Sequence, residues 1–226
     1  MPVKDSVEIA QQAIRAIVDS GYSLTVYNDN STLDNTQRLH ALAREVGAEV
    51  IDIAALTDHP SPNYRYVLLD SRQKALAKNA PLIIVESDVM IAENTINQLL
   101  EAQQEGVGMI AAITHNEAGE VNFPYEYARK LAVGAIETRK RLSFCCTLLS
   151  TELLRAMDWE QLLDPDKNWY DVTISHESSR LGFRNILLTD TPVLHQPHSS
   201  RPWKQLKYTH PLLYYWRKLT QHKDKI

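Results

Sequence analysis

Apolar and polar positions follow two rhythms along this chain, and the sharpest feature is the run Leu82-Ile83-Ile84-Val85, which ends abruptly on Glu86-Ser87-Asp88. Four apolar residues, three of them β-branched, predict a strand buried on both faces. Upstream, Val7, Ala10, Ala13, Ile14, Ile17 and Val18 fall at helical spacing, with Asp5 and Ser6 as N-cap candidates and Gly21 as the stop. Residues 1–4 leave room for only a very short first strand. Residues 23–27 predict a second strand that runs into a polar turn at 28–32. A helix over 33–46 follows, stopped by Gly47, and then a third strand over 49–53. The Pro, Asp, His and Ser content of 54–63 marks a loop, and a helix over 64–78 is broken at Asn79-Ala80-Pro81.

Beyond the central run, 93–105 predict a helix and 107–114 another buried strand. Strand and helix thus alternate four times, which implies a mostly parallel sheet with right-handed crossovers. After His115 the rhythm changes. A turn at 116–119 precedes a short strand at 120–123, and 128–138 fit neither period. Residues 142–149 read as a strand, with Ser150 or Thr151 capping a helix that ends near Met157. A loop over 164–168 leads to a helix over 171–181 stopped by Gly182, then a strand over 185–188. Val193-Leu194-His195 is a last apolar run ending in an imidazole, with His198 beyond it. The expected class is α/β: a mostly parallel central sheet flanked by helices, with a more irregular, mixed C-terminal lobe. The predicted organisation is 1–114 and 115–199 as two lobes of one domain, then a tail over 200–226.

Composition narrows the function classes. A chain of 226 residues suits one large α/β domain, and 44% hydrophobic content with 7 Gly and 10 Pro excludes low complexity. A net charge of −4 gives no case for nucleic-acid binding over the whole chain. No apolar run approaches the roughly 20 residues needed to span a bilayer, and no basic, apolar, small-residue leader opens the sequence, so a cytoplasmic location is expected. The only cysteines, Cys145 and Cys146, are neighbours that could form only a strained disulfide. They read as two reduced thiols, more naturally apolar fillers than nucleophiles. The tail is basic, with seven Lys and Arg against Asp224 alone, and Trp203, Tyr208, Tyr214, Tyr215 and Trp216 are interleaved. It is either a helix packed on the protein or a segment for an anionic membrane surface, peripheral to its inner face.

Candidate chemistry concentrates at strand ends. Glu86 and Asp88 leave the carboxyl end of their strand, the edge where open α/β sheets bind ligands, and residues two apart face the same way. Hard oxygen ligands so placed suit Mg²⁺ or Mn²⁺ carrying a phosphate; an acidic turn capping the next helix is the plainer alternative. Asp29 ends the second strand in the same manner, or serves only its turn. Asp171 opens a helix, whose dipole and free N–H groups keep a carboxylate ionised, so it is a capping residue or, once desolvated by substrate, a general base. Asp88 with His195 would make a mixed oxygen–nitrogen site that tolerates Mn²⁺. His195 alone would read as an ordinary hydrogen-bonded histidine.

The order of these features resembles the family 2 glycosyltransferases, which have an A-type, Rossmann-like nucleotide-sugar fold. Pro2-Val3 is similar to the end of that family's first strand. Asn28-Asp29-Asn30-Ser31-Thr32-Leu33-Asp34-Asn35-Thr36 is similar to its Asp-Asp-Gly-Ser-x-Asp-x-Thr turn, and Ser71-Arg72-Gln73-Lys74-Ala75 sits where it has Ala-Arg-Asn-x-Gly. Glu86-Ser87-Asp88 resembles its Asp-x-Asp motif. Tyr170-Asp171 with Arg180-Leu181-Gly182 resembles its acidic helix segment, and His195 matches its closing histidine. The sequence departs from the pattern where the first strand is nearly missing, where Glu86 replaces Asp, where Tyr170 replaces Glu, and where Asn30 replaces Gly.

The resemblance implies transfer of a sugar from a UDP- or GDP-linked donor to a hydroxyl, such as that of a growing glycan or lipid-linked sugar, with inversion and with Mn²⁺ or Mg²⁺. It implies that 1–114 bind the nucleotide-sugar and 115–199 the acceptor. Val3 and Asp29 would meet the base, with Asp29 accepting from a uracil-type N3–H, and Arg72 would face the nucleotide. Glu86, with Ser87 beside it, would hold ribose or sugar hydroxyls. Asp88 and His195 would hold the metal, and Asp171 would deprotonate the acceptor. A sugar nucleotidyltransferase is one alternative, disfavoured because residues 2–6 carry no Gly-rich phosphate loop. A non-catalytic nucleotide-sugar-binding homologue is the other.

Overall fold

The computed structural model of the chain describes residues 1–165, 169–196 and 210–220. Three short parallel strands form one sheet: β1 (Pro2–Val3), β2 (Thr25–Asn28) and β3 (Glu49–Asp52), in that order. Helices α1 (Val7–Asp19) and α2 (Leu33–Val46) connect them. Short as it is, β1 is held in register: Tyr27 N–H donates to the Met1 carbonyl and Asp29 N–H to the Val3 carbonyl, both at 2.8 Å.

Helix α3 (Tyr64–Ala77) then leads to β4 (Leu82–Val85), the edge of a second, mixed sheet. Its other strands are β5 (Val89–Met90), β6 (Val107–His115), β7 (Ala135–Glu137), β8 (Cys146–Leu149) and β9 (Arg184–His195), in the order β4-β8-β6-β9-β5 with β7 also on β9. Only β6 and β9 run parallel in it. Helices α4 (Thr95–Glu101), α5 (Thr151–Ala156), α6 (Trp159–Leu162) and α7 (Tyr170–Arg180) flank it, and α8 (Pro211–Thr220) follows later.

The continuous apolar runs have a direct explanation. Along β6, Ile110 and Ala112 face one hydrophobic cluster with α1, α2 and α4, while Met109, Ala111 and Ile113 face another with α3, α5, α6 and α7. A strand buried on both faces loses its alternation. The α/β architecture with helices flanking a parallel sheet and a mixed second half is the expected one. In detail, β4 and β6, expected in the parallel sheet, both pair antiparallel with β8.

Several boundaries move for identifiable reasons. The expected strand at 120–123 is reduced to one bridge, His115 to Val121, because the Asn116 side chain accepts from the Ala118 and Glu120 N–H groups and folds the segment into a turn. The strand expected over 142–149 begins only at Cys146. Leu142 and Ser143 N–H groups donate instead to Ser175 Oγ and the Tyr125 hydroxyl, both at 2.9 Å. The runs at 185–188 and 193–195 are one strand with a register shift opposite Ala112 and Ile113. The helix expected over 93–105 shortens to α4. Asp5 does not cap its own helix; its Oδ1 accepts from Thr32 N–H at 2.7 Å and Asn35 Nδ2 at 3.2 Å, which ties the turn after β1 to the start of α2. Gly47 ends α2 with φ +76°, and Ser150 caps α5 through Leu153 N–H, as expected.

Among the described residues no helix is long and apolar enough to cross a membrane. On α8, Leu212, Leu213, Tyr215 and Trp216 are exposed while Tyr214 is buried. The loop residues 166–168, His198, and the tail residues Arg201, Trp203, Lys204, Lys207, Tyr208, Lys223 and Lys225 lie outside the described residues.

Candidate active site

The two sheets meet where β1, β2 and β4 end, and the carboxyl ends of these strands enclose a cleft of about 300 Å³. Its walls are Pro2, Val3, Lys4 and Ser6 after β1, Asp29 after β2, Ser61, Pro62, Tyr64 and Val67 around the start of α3, and Glu86, Ser87 and Asp88 after β4. The turn after β2 is sharp: Asn30 has φ +53°, a conformation that Asn tolerates in place of Gly. Asn28 braces it, donating from Nδ2 to Thr36 Oγ1 at 3.0 Å and to Asp52 Oδ1 at 2.7 Å. Asp29 is buried and fully engaged. Its carboxylate accepts from Ser61 Oγ at 2.7 Å, from Asn63 N–H at 3.1 Å and from Asn63 Nδ2 at 2.8 Å, which holds the 58–63 loop beside the cleft. Lys4 Nζ reaches across to the Asn30 carbonyl at 2.8 Å.

The other end of the cleft is acidic. Strand β5 pairs with β9 so that Val89 lies opposite His195, and Gln196 N–H donates to the Asp88 carbonyl at 2.9 Å. This pairing sets His195 Nε2 3.7 Å from Asp88 Oδ2. His195 Nδ1 is 2.7 Å from the Phe123 carbonyl, which can only accept, so Nδ1 carries a proton and the lone pair of the neutral ring sits on Nε2, toward the carboxylates. Glu86 N–H donates to the Cys145 carbonyl at 3.0 Å, and one ligand atom each from Glu86, Cys145 and His195 lie within 4.8 Å of one another.

Crowding acid groups into protein has the expected electrostatic effect. Burial pushes the Glu86 carboxyl up to about 7, the charges of Asp88 and Asp171 push the same way, and His195 opposes them. Burial would pull His195 down, but Asp88, the Phe123 carbonyl and Glu86 outweigh it and its pKa is raised. Burial, and then the Glu86 charge, hold the Cys145 thiol well above its ordinary value. Tyr64, stacked on Phe144 at 5.8 Å, is raised in the same way, and its buried hydroxyl has no partner among the described residues. Carboxylates that repel one another beside an imidazole with an outward lone pair form a donor set that fits a divalent cation, whose charge would reverse the repulsion.

Asp171 lies in the first turn of α7, and its charge acts on Glu86, Tyr64 and Tyr125, so it belongs to the same electrostatic environment. Arg72 is placed elsewhere. Its Nε donates to the Leu154 carbonyl at 2.9 Å and its guanidinium lies over the Trp159 ring, bracing α3 against α5 and α6 rather than lining the cleft. Of the eight residues singled out from sequence, Val3, Asp29, Glu86, Ser87 and Asp88 line the cleft, and His195 and Asp171 act at its acidic end. Lys4, Ser61, Asn63, Tyr64 and Cys145 were not anticipated. The polar 54–63 loop was the one available signal for two of them.

No protein-family model matches the chain, and no curated protein matches it by sequence. Solved structures do. A mannosyltransferase from Pyrobaculum calidifontis, in complex with GDP-Man and Mn²⁺, matches with TM-score 0.65 at 14% identity, covering 96% of this chain and 62% of that one. Glucosyl-3-phosphoglycerate synthase from Mycobacterium tuberculosis, in complex with phosphoglyceric acid, matches with TM-score 0.57 at 18% identity over 91% of this chain and 72% of that one. TarS 1–349 from S. aureus matches with TM-score 0.60 at 14% identity, covering 97% and 64%. The chain therefore spans less than two thirds of the mannosyltransferase and of TarS. At these identities the likeness shows the fold alone: the chain shares the α/β architecture of these structures, a parallel sheet and a mixed sheet flanked by helices.

Proposed function

We propose that the protein is a glycosyltransferase that moves a sugar from a UDP- or GDP-linked donor to a hydroxyl acceptor. The observation that carries this reading is the approach of Asp88 to His195 within 3.7 Å at the acidic end of a cleft at the strand ends. Support comes from solved structures of the same fold, one of them holding GDP-Man with Mn²⁺ and another, the mycobacterial synthase, holding Mn²⁺ with UDP-glucose.

In this reading residues 1–114 hold the donor and 115–199 the acceptor. Val3 and Asp29 flank the base. Because the Asp29 carboxylate is already tied to Ser61 and Asn63, it acts on the base as part of a fixed wall. Glu86 and Ser87 hold sugar or ribose hydroxyls. Asp88 and His195 are the ligands for Mn²⁺ or Mg²⁺, and the chemistry such an ion supplies when bound is Lewis-acid neutralisation of a leaving diphosphate. Asp171 accepts the acceptor proton as the hydroxyl oxygen bonds to the anomeric carbon and the carbon–diphosphate bond breaks on the opposite side, giving inversion. The exposed apolar face of α8 contacts an anionic membrane surface, which would bring the cleft to a lipid-linked acceptor.

Calorimetry with UDP- and GDP-sugars, with and without Mn²⁺, tests the site. Wild-type protein should bind a donor more tightly with Mn²⁺, and Asp88→Ala should lose that increment. Asp171→Asn should keep donor binding and lose on the order of 10²–10⁴-fold in transfer, the usual worth of a general base. Donor affinity indifferent both to Mn²⁺ and to Asp88→Ala would sink the reading.

A further inference from the structure

Beside the carboxylates stands a group that a purely oxygen–imidazole cation site does not require. Cys145 is buried, and its thiol donates to Glu86 Oε2 over 3.5 Å. Glu86, Cys145 and His195 form a set whose ligand atoms all lie within 4.8 Å of one another, and Asp88 Oδ2 stands 3.7 Å from the histidine's Nε2. The backbone fixes each member. Glu86 N–H is bonded to the Cys145 carbonyl at 3.0 Å, and the Phe123 carbonyl orients the imidazole. In a four-coordinate site with bonds of about 2.0–2.3 Å, neighbouring donor atoms lie roughly 3.4–3.8 Å apart. The Cys145 Sγ to Glu86 Oε2 separation, 3.5 Å, is already in that range.

We propose that this cluster is a binding site for a thiophilic divalent cation, Zn²⁺ foremost, held by Cys145, His195 and Glu86 and mutually exclusive, through the shared His195, with the Mn²⁺ or Mg²⁺ of the transfer reaction. The inference rests on the proposed Asp88–His195 cation site and deepens it. Thiolate is a soft ligand that selects zinc over manganese, and the general order of divalent affinities runs the same way. On binding, the ion replaces the Cys145 proton, which passes to solvent as the sulfur–metal bond forms, and no oxidation state changes. Glu86 then has two roles: toward donor hydroxyls when the harder ion is bound, and as a metal ligand when the softer one is. Zinc thus acts as a competitive off-switch. Cys146 is paired into β8 opposite Val85 and is absent from the cluster, which makes it an internal control.

The test uses the full metal-free chain and Co²⁺ as the spectroscopic substitute for Zn²⁺. Wild-type protein and Cys146→Ser should develop the near-ultraviolet thiolate-to-cobalt charge-transfer band, while Cys145→Ser and Cys145→Ala should not. In parallel, paramagnetic resonance of free Mn²⁺ reports its displacement by Zn²⁺, and Cys145→Ser should raise the Zn²⁺ needed by on the order of 100-fold, the upper end of what even an outer-shell partner is worth. Wild-type protein that binds Mn²⁺ but gives no charge-transfer band with Co²⁺ overturns the thiolate site and leaves the proposed function standing. Binding of neither ion overturns both. A band that survives in Cys145→Ser and vanishes in Cys146→Ser also overturns the assignment.

Discussion

Glu86 shows at the scale of one residue what the site asks of the fold. Its carboxyl titrates near 4.5 in an unfolded chain and near 7 in the folded one, with burial as the leading cause and Asp88 and Asp171 behind it. Between those values the folded protein holds a proton that the unfolded chain has released. Glu86 therefore contributes stability at low pH that is lost as pH rises through this window. His195 works in the same direction, since its raised pKa contributes stability at low pH that is lost as pH rises. In metal-free protein, Glu86→Gln should remove most of the downward slope between pH 4.5 and 7, as read from urea midpoints across that range. An undiminished slope would assign the effect to His195. Asn30 is informative in a different way: a sequence reader sees a missing glycine, whereas φ +53° shows that the turn keeps the glycine-like conformation with a residue that tolerates it.

At the scale of elements, the position of Asp171 depends on how α7 lies against the mixed sheet. Gly108 on β6 permits the close approach. A Cβ there would come within 2.5 Å of Ser178 Oγ and 2.8 Å of Phe183 Cβ. Next to that contact, Ser178 Oγ donates to Asn185 Oδ1 at 2.7 Å and Asn185 Nδ2 donates to the Ser175 carbonyl at 2.9 Å, which stitches α7 to β9. Gly108→Ala should cost about 1–3 kcal/mol by overpacking, measured by urea unfolding. It should also lower transfer more than donor binding, because α7 carries the proposed base and not the donor contacts. Loss of donor binding in equal measure would mean that the strain spreads across the whole cleft. The elements themselves were largely legible, since helical spacing and apolar runs are local properties. The shortened strand at Cys146 was not, because the hydrogen bonds that displace its ladder come from Tyr125 and Ser175 on other elements.

At the scale of the whole molecule, two sheets share one cleft, and an amphipathic aromatic helix lies near the chain's end. Leu212 is 89% exposed and Trp216 61%, an unusual presentation of large apolar groups on a helix of ten residues. Co-sedimentation with vesicles should show binding to anionic and not to zwitterionic lipid. Leu212→Ser with Trp216→Ser should weaken it, and added salt should weaken it further as surface charges are screened. Equal binding to both lipids would remove the electrostatic part of that proposal, and no binding to either would remove all of it.

The sequence by itself determined most of the strands and helices of the first half, the stops at Gly47 and Gly182, the cap at Ser150, and the acids at the strand ends. Each of these follows from periodicity or from the conformational limits of single residues. Strands β5 and β7 and helix α6 were not legible in it. Only the tertiary structure decided partners. Alternation tells which face of a strand is buried but not which strand lies beside it. The motif order already put Asp88 with His195, but nothing local announced that β4 would pair with β8, that β5 would be the strand joining them, or that the chain before β8 would set Cys145 against Glu86. Arg72 makes the same point in reverse: its motif position suggested the nucleotide, and packing against Leu154 and Trp159 turned it toward the core of another helix pair. The acids at Glu86 and Asp88 and the histidine assigned to them were written in the chain, and the thiol that completes their surroundings came from a long-range contact.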